Sequence, residues 1–149
     1  MLPDLPDIVG TTLDGVEPYV VNAADNHAIC TTMDVPVDGQ GGAHPIFYHM
    51  ATQSGMNRSI GELCGLCGFN IAHGPMLGSS AVEFREPIMV DVPYRVRGNI
   101  TALNRKQSSR FGWIDILQYE LKLVNEAGVE VLRARYSLVL PRGRGDDEG

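Results

Sequence analysis

Between Trp113 and Leu140 the chain keeps a two-residue rhythm. Trp113, Leu117, Tyr119, Leu121 and Leu123 share one parity, "NEAG" follows, and Leu132, Ala134, Tyr136, Leu138 and Leu140 again share one parity. Because successive strand side chains point to opposite faces, this pattern predicts two long antiparallel strands joined by a short turn, with one face apolar. Two shorter stretches carry the same rhythm. Val82 and Phe84 alternate with Glu83 and Arg85, and Tyr94, Val96 and Ile100 alternate with Arg95 and Arg97. With "NRKQSS" as a loop from Asn104 to Ser109, the last three strands form a meander whose leucine and tyrosine face needs a cover.

The one segment suited to cover it runs from Ile46 to about Cys64. Pro45 fits a first helical turn, and Ile46, Phe47, Met50, Ala51, Ile60 and Leu63 fall at three- and four-residue spacings. Gly55 inside that helix costs about 1 kcal/mol relative to alanine, so it is expected where the helix packs closely on the sheet. Upstream, "EPYVV" reads as a strand and "NAADNHAICTTM" as a short helix capped by Asn22. Residues 1–142 are expected to form one domain, with 143–149 a polar, glycine-rich, disordered tail.

A chain of 149 residues can bury a core without staples. A net charge of -6 argues against a nucleic-acid surface. No stretch has the length of a membrane span, and "MLPDLPDIVG" lacks the basic region of a secretory signal. Three cysteines cannot all pair internally, which fits a reducing compartment, and the cytoplasm is the expected location.

A helix wrapped by an antiparallel sheet, with the phrase "VEFREPIMVDVPYRVRGNI" opening the sheet run, resembles the hot-dog superfamily. The phrase is similar to the segment of MaoC-like enoyl-thioester hydratases and hydroxyacyl-carrier-protein dehydratases in which a phenylalanine, a proline and a Gly-Asp turn lead into a strand. Val90-Asp91 stands here for Gly-Asp. The resemblance implies an α+β hot-dog fold and an acyl thioester of coenzyme A or of a carrier protein as ligand. It further implies a homodimer, or a heterodimer with a related hot-dog subunit, and no cofactor or metal.

MaoC-like hydratases carry an aspartate, then Asn-Pro, then a histidine five positions after the aspartate, to hold and activate water. In "TTMDVPVD" Asp34 takes the aspartate position, Pro36 stands for the proline, and Asp38 falls where the histidine belongs. The nearby imidazole is His44, in the residue type that serves as general base near neutral pH. The resulting expectation is that Asp34 or Asp38 orients His44, while backbone N–H groups at the helix start polarise the thioester carbonyl. A histidine satisfied by the backbone ahead of a helix, and aspartates serving turns, are the alternatives. In "HMATQSG" His49 stands where dehydratases place a catalytic acid; with Gln53 it is a candidate for the substrate tunnel, or else a packed helix residue.

Arg105, Lys106 and Arg110 are candidates for the phosphates of the carrier, with a solvated basic turn as the alternative. "CGLC" at Cys64 to Cys67 has redox or zinc spacing but lacks a second pair, and is expected to be buried at a helix end. Asp115 lies on the apolar parity, where a carboxylate must be paired or functional. Arg133 and Arg135 are possible partners, and a bulge near Gly112 that turns Asp115 outward is the expected outcome. Hydration of an enoyl thioester or its reverse is the first expectation; thioester hydrolysis, a non-catalytic half-site subunit and another lyase or cyclase of secondary metabolism are the alternatives.

Overall fold

The computed structural model describes residues 2–143; most of the expected tail, 144–149, lies outside the described residues. The elements are β1 (Tyr19–Val20), α1 (Ala23–Thr32), α2 (Phe47–Gly55), α3 (Ile60–Leu66), a 3-10 turn (Ile71–His73), and β2 (Met76–Phe84), β3 (Pro93–Ser108), β4 (Gly112–Asn125) and β5 (Glu130–Gly143). They build one antiparallel sheet in the order β1-β3-β4-β5-β2.

The meander is present, with longer strands than expected. Asn104 to Ser108 continue β3 in register with β4, Arg105 opposite Asp115, so "NRKQSS" is mostly strand and the turn lies beyond it. At the other hairpin the Asn125 side chain accepts from the N–H groups of Ala127 and Val129, and Gly128 takes φ 82°, as the "NEAG" signal implied. The Val90-Asp91 turn also forms, with Asp91 at φ 62°, a left-handed geometry that aspartate tolerates.

The covering helix is divided, which corrects the expectation of one helix from Ile46 to Cys64. α2 stops at Gly55, and α3 restarts behind a capping box in which Ser59 and Glu62 satisfy each other's backbone N–H groups. α2 packs against β1, β3, β4 and β5, and Tyr48 reaches Ser80 of β2, so the sheet curls around it. Gly55 explains the close approach: a Cβ there would stand 2.6 Å from Val96 Cγ2. Leu63, Leu117, Leu121, Leu123, Leu132 and Leu140 close the core at 0% exposure.

The two sheet edges differ. Residues 10–15 run along β3, with Gly10, Leu13 and Gly15 donating to the carbonyls of Ile100, Gly98 and Val96, and β1 continues the cover. Among the described residues β2 pairs only with β5, and no strand covers its outer edge.

Candidate active site at the start of the central helix

The approach to α2 is assembled from three segments. Ala43 N–H donates to Ile88 O (2.7 Å) and Val90 N–H to Gly41 O (2.8 Å), so the glycine-rich loop is strapped to the "EPIMV" phrase. From α1, buried Asn26 accepts the backbone N–H of His44 at 2.8 Å. His44 Nδ1 then accepts the N–H of Ile46 at 3.0 Å. A neutral imidazole that accepts at Nδ1 carries its proton on Nε2. The residue beside α2 is therefore held as a hydrogen-bond donor.

The rest of the first turn offers little else. Phe47, Tyr48 and His49 donate to the carbonyls of His44, Pro45 and Ile46. This corrects the expectation that backbone N–H groups there polarise a carbonyl, because short-range bonds have already used them. Next to the mouth lies a shallow apolar depression of about 290 Å³ lined by Ala43, Pro45, Phe84, Pro87 and Ile88 together with Arg85 and Glu86.

Neither aspartate orients the imidazole. Asp38 Oδ1 accepts from Gln40 N–H (3.0 Å) and Oδ2 from Gly42 N–H (3.1 Å), which commits both oxygens to its own loop. Asp34 is exposed, with φ 55°, and its N–H bonds Thr31 O where α1 ends. Among the described residues no hydrogen bond joins either one to His44. Ile46 N–H holds the ring instead, and Asn26 holds the His44 backbone.

Midway along α2 a polar network crosses the core. Thr52 Oγ1 donates to Tyr48 O (2.8 Å) and lies 2.8 Å from Tyr136 OH; Gln53 Nε2 donates to Tyr119 OH at 3.3 Å, and the two tyrosine rings stack at 5.3 Å. Burial, partly offset by hydrogen bonds with Thr52 and Gln53, pushes the Tyr136 phenol up to about 12, and burial also raises that of Tyr119. Both stay protonated near neutral pH. His49 is exposed on α2 with its ring edge-on to Tyr136 and Tyr48, and Gln53 is spent on tyrosine.

The expected phosphate site comes apart. Arg105 grips Asp115 with Nε to Oδ1 at 2.7 Å and Nη2 to Oδ2 at 3.1 Å, and gives Nη1 to Pro3 O. Lys106 is exposed on β3, and Arg110 stands over the Phe111 ring at 5.3 Å. Asp115 is buried, which corrects the outward turn: β4 does slip register near Gly112, but the carboxylate stays inside because Arg105 and Arg142 neutralise it. Arg133 and Arg135 are not its partners. Gly143, placed by the sequence in the polar tail, ends β5, directly after Arg142.

Cys64 and Cys67 are buried free thiols, and burial pushes Cys67 up to about 12, so the pair lacks the accessible thiolate that redox work needs. Asn26 was missed by the sequence reading. The signal was there: Asn26 and Cys30 sit four apart on one helix face, and both are buried.

A curled antiparallel sheet around a central helix, with the glycine-rich loop leading into that helix, defines the hot-dog fold. The fold is shared with a (3R)-hydroxyacyl-ACP dehydratase complex, HadBC, from Mycobacterium tuberculosis: 15% identity, TM-score 0.63, covering 89% of this chain and 97% of that one. A MaoC-like dehydratase from Rhodospirillum rubrum is similar at 18% identity and TM-score 0.61, over 90% and 92% of the two chains. A Thermus thermophilus thioesterase, solved with coenzyme A and zinc, is similar at 13% identity and TM-score 0.57, over 88% and 81%. No family model matches the sequence, and no curated protein sequence does. None of the helices among the described residues is long and apolar enough to cross a membrane.

Proposed function

We propose that the chain binds an acyl thioester, carried by coenzyme A or a carrier protein, at the mouth of α2 and hydrates its 2-enoyl form or runs the reverse dehydration. The observation that carries this reading is the bond from Ile46 N–H to His44 Nδ1, which leaves the Nε2 side of the ring to donate at the helix start. In hydration, water adds its hydroxyl to C3 and a proton ends on C2. A donor on the thioester oxygen stabilises the enolate charge that builds up on the way. His44 takes that part, and the apolar depression beside it takes the first carbons of the acyl group.

The base that activates water is the missing half. Asp38 is committed to its loop, and Asp34 is the exposed carboxylate that remains on the approach. A second reading therefore has support: this chain is a half-site subunit whose partner supplies the base. The bare edge of β2 favours a partner, since a nine-residue edge without lysine or proline pairs readily with another strand. A related hot-dog chain or a second copy fits there, and the cytoplasm is where such thioesters are made and used.

The test is to incubate the purified chain with saturated and 2-enoyl coenzyme A thioesters while following intact mass and free thiol. A gain of one water with the thioester intact, lost in His44→Ala, is the expected result. Free thiol from saturated substrates would replace hydration by thioester hydrolysis. No product from the chain alone, with water addition restored by a partner chain, would select the half-site reading.

A further inference from the structure

The convex face of the sheet, turned away from α2, places like charges side by side. Arg97 of β3 is in register with Lys122 of β4, and Lys122 with Arg133 of β5. Like charges directly opposite on neighbouring strands destabilise a sheet; Glu130 offsets this between Lys122 and Arg133, while Arg97 has no carboxylate partner among the described residues. Arg95, Arg135 and Arg85 extend the cationic area.

Acids are present, but they lie beneath. Glu130 is bridged by Arg133 (3.1 Å), Arg85 (3.4 Å) and Lys122 (3.9 Å), and Glu120 by Arg135 (3.1 Å) and Arg133 (3.8 Å). The Glu130 and Glu120 side chains are 16% and 17% exposed, against 28% for Arg133, 37% for Lys122, 50% for Arg135 and 64% for Arg85. The cations are thus more exposed than these two acids, while Glu83, tied to Arg135, and Glu126 are exposed acids at the margins of the row. Arg95 and Arg97 touch backbone carbonyls of Val16 and Gly15 and no carboxylate among the described residues. A groove of about 760 Å³ beside Arg95, Arg97 and Lys122 is also lined by Pro93 and Val124, with Glu126 at its hairpin rim.

We propose that this face docks an acidic protein. The in-register row crosses three strands, about 10 Å, broader than one phosphate needs. Interspersed Glu83 and Glu126, on a chain of net charge -6, disfavour a polyphosphate backbone. An acidic helix offers separate carboxylates to separate cations and an apolar side to Pro93 and Val124. The choice of probe, an acidic acyl carrier protein, rests on the acyl-thioester reading; poly-L-glutamate is a probe that does not.

The experiment measures binding of both probes to the full chain, to Arg97→Gln/Lys122→Gln and to Lys122→Glu, with thermal melting in parallel. The expected result is binding that weakens as salt rises from ~50 to ~300 mM and falls about tenfold in the double variant. Melting of that variant should be little changed, because Arg133 and Arg85 still hold Glu130 once Lys122 is gone. Unchanged affinity in the variants, a melting temperature that drops along with affinity, tighter binding of a DNA duplex, or no binding of either probe by the native chain would each overturn the proposal. Coenzyme A thioesters turned over without probe binding sink the docking surface alone, and probe binding without turnover, either alone or with a partner chain, sinks the reaction alone.

Discussion

Asp115 Oδ2 accepts from Arg142 Nε at 2.9 Å, with the carboxylate at 0% and the arginine side chain at 7% exposure. Arg142 also donates to the carbonyls of Cys67 and Gly68 and stacks over Phe69 at 5.3 Å, while Arg105 binds the other side of Asp115. One carboxylate thus joins three strands to the end of α3. Removing it by Asp115→Ala leaves two arginines without their anion, and the expected loss is about 3–5 kcal/mol in urea unfolding. Lys106→Ala, beside Arg105 on the neighbouring strand but exposed, should stay within about 0.5 kcal/mol; equal losses in the two variants would refute the account.

Gly15 and Gly55 form a backbone-to-backbone contact behind α2. A methyl on Gly15 would run into the Gly55 carbonyl, and one on Gly55 would meet Val96 Cγ2 at 2.6 Å. Alanine is the better helix former by about 1 kcal/mol, yet Gly55→Ala should lower the melting temperature. Gly15→Ala should lower it further, because a carbonyl in a packed helix cannot swing aside as a side chain can. A Gly55→Ala protein that melts higher would mean the contact is looser than it looks.

Asn26 acts on the site through His44. Asn26→Leu leaves the His44 N–H without an acceptor and should cost about 1–3 kcal/mol. If thioester turnover is found, its kcat should drop in this variant even well below the melting transition, with Asn26→Ser recovering part of it. Full activity in Asn26→Leu would show that His44 does not need this anchor.

Titration gives two separate windows. Tyr136 is raised from 10.0 to about 12, so the folded state holds a proton that the unfolded chain has lost, and stability should fall as pH rises from about 10 to 12. Tyr136→Phe should flatten that decline. Glu130 shifts the other way: burial raises it, but the Arg133 hydrogen bond and the charges of Arg133, Arg85 and Lys122 outweigh burial and hold it below its ordinary 4.5. Its contribution is present above that value and is lost on acidification through the lowered one, so the gap between native and Glu130→Gln should close in acid. Urea midpoints across pH would show both; a gap that persists at low pH would contradict the second.

Burial also predicts silent cysteines. With Cys64, raised by burial, and Cys67, pushed up to about 12, both out of contact with solvent, a thiol reagent near neutral pH should label the native chain far more slowly than the urea-unfolded one. Fast native labelling would indicate local opening of the α3 end.

Much of the fold was written locally. Parity from Trp113 to Leu140 specified the long hairpin, Asn125 and Gly128 its turn, Asn22 a cap, and Gly55 a close approach, because each depends on a residue's own geometry or its near neighbours. The break in the covering helix was legible too, in the Ser59 to Glu62 capping box, although apolar spacing across it pointed to one helix. The partners of Asp115 were not legible. Parity put it inside, but its partners Arg105 and Arg142 are set by strand register and by where β5 ends, and Arg142 is the last residue before a stretch whose composition reads as tail. The same holds for the site. Residue type nominated His44, Asp34 and Asp38, whereas the pairing of His44 with Asn26 and Ile46, and of Asp38 with its own loop, follows from how α1, the glycine-rich loop and "EPIMV" are strapped together. Sequence fixes short-range conformation through covalent geometry and side-chain period; which charge meets which, and which nitrogen keeps its proton, is decided only when distant segments are packed and their hydrogen bonds must all be satisfied at once.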